Sequence, residues 1–150
     1  MERPTVVKGG GAAPAAAGAA PGGPRARVLV VDDEPSICRA LCIALERAGY
    51  VALCTTSGES AQRLLSAEHV DVLLLDLRMP DLRGDVVFHL AVSLQPHLRT
   101  QTLFCTGDPS ESAHRLIGAC GTTMIRKPFD LRDVLDAVEA LLPRVRSRTA

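Results

Sequence analysis

An α/β fold, an open parallel sheet with helices on both faces, is predicted by three features of the chain. Strand-like and helix-like segments alternate five times. The strand-like segments are continuous apolar runs rather than alternating ones, as expected for strands buried on both faces. Apolar residues make up 47% of 150 residues, enough for the core of one domain. With three Phe, one Tyr and no Trp, that core must be aliphatic.

The elements follow in order. RVLVV, from Arg27, reads as the first strand. Pro35 suits the first turn of a helix in which Ile37, Leu41, Ala44, Leu45 and Ala48 recur at helical spacing, and Gly49 suits its C-terminal cap. YVALCT reads as the second strand, and Gly58 to Ala67 as a short helix through Ala61, Leu64 and Leu65. Val70 to Leu75 is the clearest buried strand. LRMPDLRG is a loop broken by Pro80 and Gly84. Val86 to Leu94 reads as a third helix, TLFCT as a fourth strand, Glu111 to Ala119 as a fourth helix and TTMIR as a fifth strand. In FDLRDVLDAVEALL, Asp130 suits an N-cap, and Leu131, Val134, Leu135, Val138, Leu141 and Leu142 form the buried stripe.

Other features exclude function classes. Seventeen basic and 17 acidic residues balance, so there is no basic footprint for direct nucleic-acid binding and no polybasic membrane anchor. No run is long and apolar enough to cross a membrane, and the N-terminus does not read as a secretory signal. The five cysteines lack metal-ligand spacing and read as small buried hydrophobes of a cytoplasmic protein; Cys38 and Cys42 fall on one helix face. His69, His89, His97 and His114 are assigned to the surface. Residues 1–25 read as a disordered Gly/Ala/Pro-rich tail or linker, 26–143 as the folded domain and 144–150 as a short basic tail.

In such sheets the site lies outside the carboxyl ends of the strands. Asp32 and Asp33 follow the first strand, Asp76 the third, Thr106 the fourth and Lys127 the fifth, whereas the second ends in Thr55 and Thr56. Two carboxylates about 4 Å apart repel by about 4 kcal/mol at an effective dielectric of about 20. Something positive must sit among them, or one must take up a proton; this hard, oxygen-only donor set suits Mg²⁺. Lys127 supplies a second positive charge. The chain has fifteen Arg and only two Lys, and a lysine is a compact charge on a thin stem that reaches into a crowded pocket. Pro128 permits a cis peptide bond there, which would turn the lysine side chain out of the strand direction. One by one, these polar residues also fit caps and turns; their joint appearance at the strand ends argues for a site.

VLVVDDEP, VDVLLLDLRMPDLRG, FCTGD and MIRKPF, in that order, resemble the receiver domain of bacterial two-component response regulators, from Arg27 to Leu142. The resemblance implies a flavodoxin-like, doubly wound five-stranded parallel sheet in the order 2-1-3-4-5 with five flanking helices. It implies that Asp76 is the phosphoacceptor. Asp33, Asp76 and the backbone carbonyl of Arg78 would ligate Mg²⁺, with Asp32 acting through a water. Thr106 and Lys127 would each hold a phosphoryl oxygen. The implied partners are a sensor histidine kinase or phosphotransfer protein, and a downstream protein the sequence does not name. One position departs from the pattern: Met124 stands where the family usually has the Tyr or Phe whose rotamer accompanies activation. Arg78 and Asp108 flank the site, either paired over its mouth or separately solvated.

The alternative is a Mg²⁺-dependent phosphatase of the haloacid-dehalogenase kind. It wants a second acid two residues after the nucleophile, where this chain has Arg78. A dinucleotide-binding module wants a glycine-rich loop after the first strand, where this chain has DDEPSI. The chain fits a stand-alone receiver, or the terminal receiver of a hybrid histidine kinase with its Gly/Ala/Pro segment as linker. Removal of residues 2–24, which hold almost no large apolar side chains, is expected to leave the melting temperature unchanged; calorimetry of the truncated chain checks this.

Overall fold

The computed structural model describes residues 25–108 and 110–143. Apart from Arg25, the tails expected over 1–25 and 144–150 lie outside the described residues. Five strands, β1 (Arg27–Val31), β2 (Val51–Thr55), β3 (Val72–Leu75), β4 (Thr102–Thr106) and β5 (Thr123–Arg126), alternate with five helices. These are α1 (Pro35–Arg47), α2 (Gly58–Ala67), α3 (Gly84–Leu94), α4 (Glu111–Cys120) and α5 (Leu131–Leu141). The strands form one parallel sheet in the order β2-β1-β3-β4-β5, the flavodoxin-like arrangement expected.

Successive residues of a strand point to opposite faces, and here both faces are buried. Leu29, Leu53, Leu73, Leu75 and Phe104 join one apolar cluster with residues of α2, α3 and α4. Val28, Val30, Ala52, Cys54, Leu74 and Cys105 join the other, with α1 and α5. The core is aliphatic apart from Phe88 and Phe104, whose rings lie 5.9 Å apart. All five cysteines are free and buried, Cys38 and Cys42 together on the inner face of α1.

The helix ends show why the chain turns where it does. Pro35 opens α1, where its missing N–H has no helical partner to lose. Gly49 follows the last turn at φ +97°, and Gly121 closes α4 at φ +70°, left-handed conformations that favour glycine. Ser57, Ser110 and Asp130 cap α2, α4 and α5 through side-chain oxygens.

Several expectations are corrected. Tyr50 and Val70 lie outside the strands; the Val70 N–H donates to the Gln95 side chain instead of a strand partner. The third helix starts at Gly84, and the fourth runs on to Cys120. A 3-10 turn at Pro96–Arg99, unforeseen, plugs Leu98 into the core. Leu131 does not join the buried stripe: at the first position of α5 it is 37% exposed and packs with neither apolar cluster. The loop LRMPDLRG is more than a connection, since Leu77 and Met79 are buried in the core.

That loop closes on Gly84, whose N–H donates to the Leu77 carbonyl at 2.8 Å. A Cβ on Gly84 would lie 2.2 Å from the Asp76 carbonyl oxygen and 2.8 Å from Leu77 Cα, backbone atoms that no rotamer change moves aside. Gly84→Ala is therefore expected to destabilise the protein by about 1–3 kcal/mol, as overpacking does. Gly118→Ala, with nothing within 4 Å of the new methyl, is expected to be neutral or stabilising. Urea denaturation of the two variants checks the contrast.

Candidate functional site

Each strand-end residue of the site is held by backbone pairing. The Asp32 N–H donates to the Thr55 carbonyl at 3.1 Å, the Asp76 N–H to Val31 at 2.9 Å and the Lys127 N–H to Thr106 at 2.8 Å. The parallel ladder thus runs one rung past the strands and fixes these three backbones side by side. Asp33 follows in the β1–α1 turn. Oxygens of Asp32, Asp33 and Asp76 lie within 4.8 Å of one another.

Lys127 sits against this cluster. Its Nζ lies 2.7 Å from Asp32 Oδ2, 3.4 Å from Asp76 Oδ2 and 3.8 Å from Glu34 Oε1. The Lys127–Pro128 peptide bond is cis. Burial acts to lower the Lys127 pKa, but Asp32 first and Asp76 second outweigh it through hydrogen bonding and charge, and the pKa is raised. The two carboxylates thus favour the charged form of the lysine. Asp76 is pushed up to about 7, chiefly by burial. Lys127 pulls it down, Asp32 pushes it up, and the Arg78 N–H, donating to Oδ1 at 3.2 Å, pulls it down again.

Asp33, Glu34, Asp76, Arg78, Gly107, Asp108 and Lys127 line an open cleft of about 350 Å³. Asp32 is buried beneath it at the Lys127 ammonium. Thr106 is also fully buried, and its Oγ1 accepts the Asp108 N–H at 3.0 Å. Of the two arrangements considered for Arg78 and Asp108, the structure shows the paired one. Arg78 Nε donates to Asp108 Oδ2 at 2.5 Å, and Nη2 contacts the same oxygen. The backbone N–H of Ser110 is the main reason the Asp108 carboxyl lies below the usual carboxylate range, with the Ser110 hydroxyl and Arg78 adding to it.

The structure therefore gathers Asp32, Asp33, Asp76 and Lys127, with Thr106 adjoining through Asp108. Glu34 was missed as a lining residue, although its place in DDEP, directly after the two aspartates, was the available signal. The histidines stand elsewhere. His69, His89 and His114 are exposed, whereas His97 is half-buried, with Nε2 2.6 Å from the Val70 carbonyl oxygen and its ring stacked on His69. Met124 is half-buried against the α2–α3–α4 cluster. No helix among the described residues is long and apolar enough to cross a membrane.

The donor set can be tested against a metal on these observations. Three carboxylates with one contacting ammonium leave surplus negative charge, and one of them is already driven toward protonation. All the side-chain donors are hard oxygens, so the residues fit Mg²⁺.

Known proteins resemble this chain. Residues 28–139 match the family described as "Response regulator receiver domain". The response regulator receiver protein CpdR of Brucella abortus is 32% identical over 122 residues, covering 77% of this chain and 96% of that protein. Other relatives, described as transcriptional regulatory proteins, are spanned over 50% of their length. A CheY-like receiver domain protein from Methanospirillum hungatei superposes with a TM-score of 0.73 at 26% identity, over 79% of this chain and 94% of that one. A response regulator from Burkholderia pseudomallei, solved with a phosphorylated aspartic acid, calcium ion and citrate, does so with 0.68 at 26% identity, over 75% and 66%.

The Asp76 shift has a testable sign. An acid whose folded pKa, about 7, exceeds its ordinary 3.8 contributes most stability below the lower value and loses it as pH rises to the upper one. Without divalent cation, Asp76→Asn should therefore gain stability relative to the native protein as pH rises from about 4 to about 8. Urea midpoints across that range check this; a difference flat with pH would contradict the burial argument.

Proposed function

This chain belongs to the response regulator receiver family of two-component signalling, and from that premise we propose that Asp76 accepts a phosphoryl group. The observation that carries the reading is Asp76 at the floor of an acid-lined cleft, with Lys127 Nζ 3.4 Å from one of its oxygens. The donor would be the phosphohistidine of a sensor histidine kinase or phosphotransfer protein, or a small acyl phosphate.

In the proposed reaction a carboxylate oxygen of Asp76 attacks phosphorus. The P–N bond of phosphohistidine, or the P–O bond of acetyl phosphate, breaks as the new P–O bond forms, and the leaving group departs with the bonding pair. Ionised Asp76 is the nucleophile. Lys127 would balance charge on one phosphoryl oxygen, and Thr106 would bond another through its hydroxyl. Asp33, Asp76 and the Arg78 carbonyl would hold Mg²⁺, with Asp32 taking part through a water; bound there, the ion supplies charge neutralisation for the transferring group. Gly107, without a side chain, leaves the mouth open to the donor or to a hydrolytic water. The product is an acyl phosphate that a partner protein would read, and free buried thiols suit a reducing cytoplasm.

The phosphatase alternative gains nothing from the site. Where it needs an acid to protonate a leaving group, Arg78 is present and paired with Asp108.

Acetyl phosphate with Mg²⁺ is expected to add one phosphate to the native chain, seen by intact-protein mass spectrometry. Asp76→Ala, or excess chelator, is expected to abolish the addition. Undiminished phosphate on Asp76→Ala would overturn the assignment.

A further inference from the structure

The loop after Asp76 is tied down at a place the chemistry above does not use. Asp81 is exposed and lines no part of the cleft. Its carboxylate nevertheless crosses to the first turn of α2. Oδ1 accepts the Gly58 N–H and Oδ2 the Glu59 N–H, each at 3.1 Å. Those amides have no helical acceptor of their own. The helix's own cap, Ser57, takes a different amide, that of Ser60, at 3.1 Å. Burial acts to raise the Asp81 carboxyl, but the Glu59 and Gly58 amides outweigh it and hold it below its ordinary range.

Packing reinforces the bond. A Cβ on Gly58 would stand 2.7 Å from Leu82 Cβ, so the bare glycine is what lets the loop settle on the helix. Leu77 and Met79 are anchored in the core, and Gly84 closes the loop on the Leu77 carbonyl. Pro80, Asp81 and Arg83 are exposed, and of these Asp81 alone bonds to α2. Arg78, whose N–H bonds Asp76, stands on the same loop.

We propose that Asp81 is a positioning residue for the phosphoryl site: its carboxylate fastens the loop after Asp76 to the start of α2, and so fixes the backbone that carries Arg78. The inference rests on Asp76 as phosphoacceptor. It separates Asp81 from an ordinary helix cap, because its second role is toward a site on another element.

Three variants test it, each by calorimetric Mg²⁺ titration, acetyl phosphate labelling rate and urea midpoint. Asp81→Ala is expected to weaken Mg²⁺ binding and slow labelling by about tenfold each, the scale at which lost supporting contacts act on metal sites. Asp81→Asn keeps one acceptor oxygen and should recover most of both. Ser57→Ala removes the helix's own cap, and should lower the urea midpoint while leaving Mg²⁺ affinity and labelling rate native. Native affinity and rate in Asp81→Ala would overturn the proposal, as would the same losses in Ser57→Ala. If the native chain takes no phosphate, the phosphoacceptor reading fails, and Mg²⁺ affinity alone still decides the role of Asp81. A native chain that does not bind Mg²⁺ overturns both.

Discussion

The site depends on three backbone hydrogen bonds that continue the parallel ladder beyond its strands. Asp32 donates to Thr55, Asp76 to Val31 and Lys127 to Thr106. The backbones at those positions cannot move apart, because their own amides are rungs of the sheet. The rungs in turn depend on register: Val31 is opposite both Thr55 and Leu75, so the residues after them emerge level. The two aliphatic clusters hold that register. A one-residue slip would send Leu29 and Leu73 to the wrong face and carry the acids out of line.

Electrostatics then follows from geometry. Carboxylates that would separate in solution are held within a few ångströms, with water partly excluded. The protein meets this strain in two visible ways: an ammonium wedged between Asp32 and Asp76, and a carboxyl on Asp76 that holds its proton to near neutrality. Neither removes the surplus charge. The acid-lined cleft is thus poised for a cation, and the proposed chemistry uses that same poise. At the mouth, Arg78 and Asp108 make a separate ion pair that links the loops after β3 and β4.

Much of this was legible in the chain, for a physical reason. Buried parallel strands demand unbroken apolar runs, so RVLVV and VDVLLLD announce themselves, and the first polar residue after each run marks the site edge. Asp32, Asp33, Asp76, Thr106 and Lys127 were found in this way. What stayed hidden depends on tertiary contacts that leave no periodic trace. The 3-10 turn at Pro96–Arg99 has one buried residue, too few for a pattern. Leu131 fits the helical stripe by spacing, yet it stands 37% exposed outside both clusters. Asp81 bonds amides more than twenty residues away, and Gly58 matters through the side chain it lacks. The Arg78–Asp108 pair was foreseeable only as one of two arrangements, since neither residue's spacing says what it meets across a cleft.

Consider last the composition of positive charge. The folded domain has many guanidinium groups on its outside, but Lys127 is the only primary amine among the described residues. Its chemistry is therefore spatially unique. Any reaction that consumes an amine in the folded domain, whether acylation, carbamylation or Schiff-base formation, is by arithmetic a reaction at the acid cluster. Reactivity toward an amine reagent would thus be a local gauge of the cleft, blind to the rest of the domain, and suppressed in proportion to how firmly Asp32 and Asp76 hold the ammonium.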